Sequence, residues 1–130
     1  LPIERIPGLD QPELQGRLSQ YQYGLLIHTD EGTGYTPHFY TTANSNKIST
    51  YWESGIPIIV GTNMPWNVEI IVNRHRGGFA IDFNRLEDLR EVESHIDYQW
   101  LKKNVIKARE ESYNALNNVE RLYLFYSEVL

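Results

Sequence analysis

"NSNKISTYWESGIPIIV", residues 44–60, decides the fold. Asn44 or Ser45 can cap a helix, and Ile48, Tyr51 and Trp52 then share one face at i, i+3 and i+4 spacing. Gly55 suits the position just past a helix end, where a left-handed backbone is common. Ile56–Val60 is apolar on both faces, as a parallel strand covered on two sides requires. One residue fits poorly. Lys47 falls in the first helical turn, where unpaired N–H groups carry about half a positive charge, and a cation there costs a few tenths of a kcal/mol up to about 1.

The same reading extends outward. Asp10 and Glu13 have capping-box spacing ahead of Leu14 and Leu18, which predicts a short amphipathic helix over about 11–20. "YGLLIH", Tyr23–His28, reads as a strand. Residues 29–43 show no period and carry Gly, Thr and Pro, and a loop this long is the first place to look for a site. Downstream, Asn63 as cap, Pro65 near the first helical position and a stripe of Val68, Ile71 and Val72 predict a helix stopped by Gly77 and Gly78. "FAIDF" is the third strand. Asn84 and Glu87 repeat the capping spacing, with Leu86, Leu89 and Val92 as the buried stripe. Asp97 can cap a last helical stretch burying Leu101, Val105, Ala108, Leu116, Leu122 and Phe125, which "NALNN" can break in two. The order predicts an α/β fold: a three-layer sandwich with strands near 23–28, 56–60 and 78–82 in one parallel sheet, followed by a C-terminal helical extension. There is no internal repeat.

Composition narrows the function. At 130 residues and 41% hydrophobic content the chain holds one core, residues 1–130 forming one domain or part of one. A net charge of −5 and a pI of about 5.3 argue against nucleic acid as a partner, so any basic site is local. The absence of cysteine excludes disulfides and thiolate metal sites. No apolar run approaches the roughly 20 residues of a membrane span, so a soluble protein is expected. The chain starts at Leu1 without methionine or signal, which suggests a piece of a longer protein.

Lys47 makes sense if an anion stays between it and the helix. The segment follows a strand's carboxyl end, where open α/β sheets bind ligands, and Ser45, Asn46 and Ser49 add donors. A solvated surface lysine is the alternative. A Walker loop is excluded, since "TTANSNKIS" lacks the necessary glycines.

"N-S-N-K-I-S-x-Y-x-x-x-G-I-P-I-I-V" resembles the carboxyl-terminal half of GT-B glycosyltransferases. Within them it is most similar to bacterial galactofuranosyltransferase-like proteins and to the glucosyltransferases that extend O-linked GlcNAc on serine-rich repeat adhesins. "IPGLDQPELQGRLSQYQYGLLI" and "GGFAIDFNRLEDL" resemble the flanking elements of such domains. The departures are Ser45, where proline is usual, and Glu53-Ser54, where small apolar residues are usual.

The resemblance implies a Rossmann-like sheet, a partial C-terminal domain without its acceptor domain, and a cytoplasmic protein. It implies that Asn44, Ser45, Asn46, Lys47, Ile48 and Ser49 lie on the nucleotide diphosphate, that Tyr51 packs beside the nucleotide or fills the core, and that Arg5, Ile6 and Gly8 belong to the loop touching the base through backbone groups. The donor substrate is then a nucleotide sugar, UDP-linked, and the acceptor a glycan or glycoprotein hydroxyl met through the missing domain. No cofactor and no metal are expected, a homo-oligomer is left open, no catalytic residue is assigned, and these 130 residues alone are expected to be inactive. A non-catalytic nucleotide-binding or interaction module is the alternative.

Other features read as structural. His28, His38, His75 and His95 lack ligand spacing, although His38 with Tyr35 and Tyr40 could meet substrate from the loop. Asp30 and Glu31 read as loop surface, and Trp52 and Trp100 as core. "NRHRG", residues 73–77, places cations where a helix end favours them. Glu69 has no assignable role. A receiver-type signalling module shares the α/β order but needs an acidic pair, and only Asp82 ends a strand.

Overall fold

The computed structural model describes residues 8–28, 45–113 and 115–129. Its centre is β2 (Ile58–Gly61), buried along its whole length. β1 (Gly24–Leu26) and β3 (Gly78–Ile81) flank it in parallel, with Gly24 opposite Ile58 and Ile58 opposite Gly78. Because side chains alternate along a strand, Ile58 and Val60 enter one core and Ile59 the other. The expectation of a parallel sheet covered on two faces is borne out.

One face is covered by α2 (Lys47–Glu53), which contributes Ile48 and Trp52, and by α3 (Pro65–Val68), which continues as a π-helix over Glu69–Arg74. α2 ends as its sequence predicts. Gly55 takes φ +74, its N–H donates to Trp52 O at 3.0 Å, and the Ile56 N–H donates to Tyr51 O at 3.1 Å, the double closure of a Schellman end. Ile56 and Pro57 are buried, but pairing in β2 starts only at Ile58; proline has no N–H to give, and the Pro57 carbonyl accepts from Gly24 N at 2.8 Å.

Asn63 does not cap α3. Met64 occupies that position with no side-chain bond, while the Asn63 amide donates to His28 O at 3.0 Å. The π-helix buries Ile70 and Ile71, and the expected Val68 and Val72 pack, half-buried, against the same core. Glycine does not make the turn that follows: Arg76 holds the left-handed conformation at φ 54, which costs ~1 kcal/mol for a residue with a Cβ. Gly78 is instead required by packing, since a Cβ there would overlap the Ile58 carbonyl oxygen.

The second face carries a 3-10 turn over Phe83–Asp88 and α4 (Leu89–Ser94). Asp82, not Asn84, caps it, accepting from Asn84 N at 2.9 Å. Arg85 breaks the helical angles, so the expected stripe does not continue through it: Leu89 and Val92 pack inward while Leu86 is exposed.

α1 (Gln11–Leu18) is capped by Asp10 as expected, with Leu14 and Leu18 half-buried. Its Gln11 and Gln15 amides donate to the Glu53 carboxylate at 3.1 and 2.9 Å. α5 (Tyr98–Ser112), capped by Asp97, buries Leu101, Val105 and Ala108. Trp100 lies about 100° off that stripe and is 45% exposed, so it is not core; Trp52 is. α5 ends at Ser112 with Tyr113 as its cap, and α6 (Ala115–Val129) follows, where Leu122 and Phe125, expected to be buried, are 54% and 60% exposed. The Leu116 side chain lies outside what is described. No helix among the described residues is long and apolar enough to cross a membrane.

Candidate functional site

Two side chains fix where residues 45–49 sit. The Ser45 N–H donates to Asn67 Oδ1 at 3.1 Å, and Asn63, two residues past β2, holds the backbone carbonyl of His28, two residues past β1. Both ties lie beyond the carboxyl ends of parallel strands. Asn67 is fully buried in α3, where an unbonded amide would cost about 1–3 kcal/mol, and the Ser45 N–H is one of the partners that satisfy it. The sequence reading missed it. Its signal was a polar residue three positions from Met64 and four from Ile71, both fully buried, on what is otherwise an apolar stripe.

Locally, Ser45 supplies the first turn of α2. Its Oγ accepts from Lys47 N at 3.3 Å and its carbonyl from Ile48 N at 3.1 Å. Asn46 occupies the cap position in a helical conformation with no side-chain bond, and the Ser49 hydroxyl donates to Asn46 O at 2.8 Å. Ile48 is buried in the core and faces the site only through its backbone. Lys47 is exposed, no acid shares its first turn, and no described carboxylate pairs with its ammonium. This end of the helix is thus a cation beside hydroxyl and amide groups, suited to hold an anion.

Tyr51 lies one turn on. Its ring fills the space over Gly24 and its hydroxyl donates to Leu25 O at 3.1 Å; burial raises its pKa, so it stays a neutral donor. Gly8 is exposed, three residues before Gln11, whose amide binds Glu53 at the opposite end of α2 from Lys47. Arg5, Ile6 and Asn44 lie outside the described residues, as does the loop with Asp30, Glu31, Tyr35, His38 and Tyr40. The structure therefore brings together Ser45 to Ser49, fastened by Asn67. Glu69 accepts from Asn73 Nδ2 at 2.7 Å on the surface.

Residues 4–116 match the sequence family described as "Glucosyltransferase 3-like, C-terminal domain". Over 106 residues, 81% of this chain, the sequence is 30% identical to Glucosyltransferase 3 of Streptococcus gordonii. The match spans only 30% of that relative's length. No solved structure matches the chain.

Proposed function

This chain belongs to the glucosyltransferase 3-like C-terminal domain family, and we propose that it is the nucleotide-sugar-binding half of a glycosyltransferase that moves a hexose from a UDP-sugar to a glycan or glycoprotein hydroxyl. The observation that carries this reading is Lys47: an exposed cation with no described acid partner, in the first turn of a helix held at the carboxyl ends of parallel strands. In the reaction, the bond from the sugar's anomeric carbon to the diphosphate breaks while the acceptor oxygen bonds to that carbon and gives up its proton to a base. Negative charge grows on the departing diphosphate. Lys47 and the Ser45 hydroxyl, whose proton is left free when its oxygen accepts from Lys47 N, stand where that charge appears, and the Ser49 hydroxyl joins them by turning away from the Asn46 carbonyl; such groups favour the transition state without needing a metal. Asn44 and Asn46 add amides in this reading. Tyr51 positions the helix against β1, and Arg5, Ile6 and Gly8 meet the base through backbone groups.

Calorimetric titration of the intact protein with UDP, UDP-sugars and other nucleoside diphosphates tests the donor class, and a transfer assay tests turnover. Saturable UDP binding with sugar transfer is the expected result. Binding without transfer to any acceptor would assign a non-catalytic module, and no preference for a nucleoside diphosphate over the nucleoside would overturn the site.

A further inference from the structure

A charged cavity lies at the other end of the sheet from Lys47. Arg74, His75, Arg76, Asn104, Lys107 and Glu111 line a space of about 270 Å³ between the end of the π-helix and α5. Arg76 stands two residues before β3 begins, so this cavity adjoins the strands' amino ends, away from Lys47.

The chain is acidic overall, yet three cations meet here against one carboxylate, a surplus of two positive charges. Lys107 pairs with Glu111 at 3.9 Å, both well exposed, a contact of little strength. No described carboxylate pairs with Arg74 or Arg76. Arg76 also occupies the left-handed turn that glycine would take without strain, directly ahead of two glycines. The Asn104 amide holds that turn by donating to Arg76 O at 3.1 Å, and Lys107 lies three residues further along the same helix. An arginine in this conformation costs backbone strain that its side chain can offset only by a contact of its own. The His75 ring packs edge-on against Trp52 and Tyr113, with centroids 5.3 and 5.9 Å away, and so has one settled orientation at the cavity wall.

We infer that this cavity binds the phosphate group of a small soluble molecule, at a site separate from the one at Lys47. Guanidinium groups donate paired N–H bonds to phosphate oxygens, Lys107 adds a point charge, and a phosphate monoester carries about two negative charges near neutral pH, matching the local surplus.

The test titrates the intact protein, in a Lys47→Ala background that removes the proposed diphosphate contact, with inorganic phosphate at constant ionic strength. Calorimetry and the His75 ring resonances report binding. Saturable binding is expected, weakened about ten- to a hundredfold by Arg76→Gly, whose unfolding midpoint should be unchanged or higher because glycine tolerates the turn. Glu111→Gln should tighten binding. Equal affinity in Arg76→Gly and its parent would overturn the inference, and so would His75 resonances that respond to chloride as they do to phosphate. Binding of an acidic peptide but not phosphate would also overturn it, in favour of a protein-docking surface.

Discussion

Gly78 is fixed by its neighbour. A Cβ there would overlap the Ile58 carbonyl oxygen, which is held in the sheet and cannot move aside. Gly78→Ala should therefore lower stability by about 2 kcal/mol or more in urea denaturation, as overpacking against backbone does. Gly16 is the contrast: it lies inside α1 with open space around it, and Gly16→Ala should raise stability by about 0.5–1 kcal/mol. Both sites are glycine in sequence, and only the packing separates them. Asn67 makes the corresponding argument for the site. Asn67→Leu removes the buried acceptor of the Ser45 N–H, so stability should fall by about 1–3 kcal/mol and the Ser45 amide should exchange with solvent faster while β2 amides keep their order of protection. An unchanged Ser45 exchange rate would show that Asn67 does not hold the segment.

At the scale of elements, some caps and helix ends were legible, whereas Asn63 and Asn84 do not cap as expected and the interruptions were not legible at all. Asp10, Asp97 and Gly55 act where their side chains or backbone freedom predict. The π turn at Glu69–Arg74 and the kink at Arg85 were invisible, because a 3.6-residue period has no symbol for a changed register. The π turn ends at His75, whose ring meets both Trp52 and Tyr113 edge-on while those two rings also touch each other. Burial first, and then the Arg74 charge, hold the His75 pKa below 6.5, against a smaller opposing effect of Glu111. The unfolded chain then binds more protons than the folded one once pH drops below about 6.5, so this contribution is complete above that pH and is lost as pH falls through the folded value. Urea midpoints measured between pH 7.5 and 5 should decline, and His75→Asn should flatten the part due to this residue. An equal decline in the variant would place the effect elsewhere.

At the scale of the whole molecule, the parallel sheet with two covered faces was readable because β2 is apolar at every position and each flanking run has a capped helix beside it. α6 was misread. Apolar spacing at Leu122 and Phe125 says that a helix has an apolar side, and says nothing about whether the rest of the chain covers it. The candidate site was legible in part: Lys47 drew notice by being misplaced for a helix start, whereas its support by Asn67 depends on a contact between residues 22 apart. The central claim is that Lys47 meets a diphosphate, and the most direct measurement is calorimetry of the intact protein and its Lys47→Ala variant against UDP and uridine. A charge-assisted contact is worth about 1.5–3 kcal/mol, so the variant should lose roughly ten- to a hundredfold in UDP affinity and almost none for uridine, which has no phosphate. UDP affinity equal to that of the unmodified protein would contradict the account and leave Lys47 a solvated surface lysine.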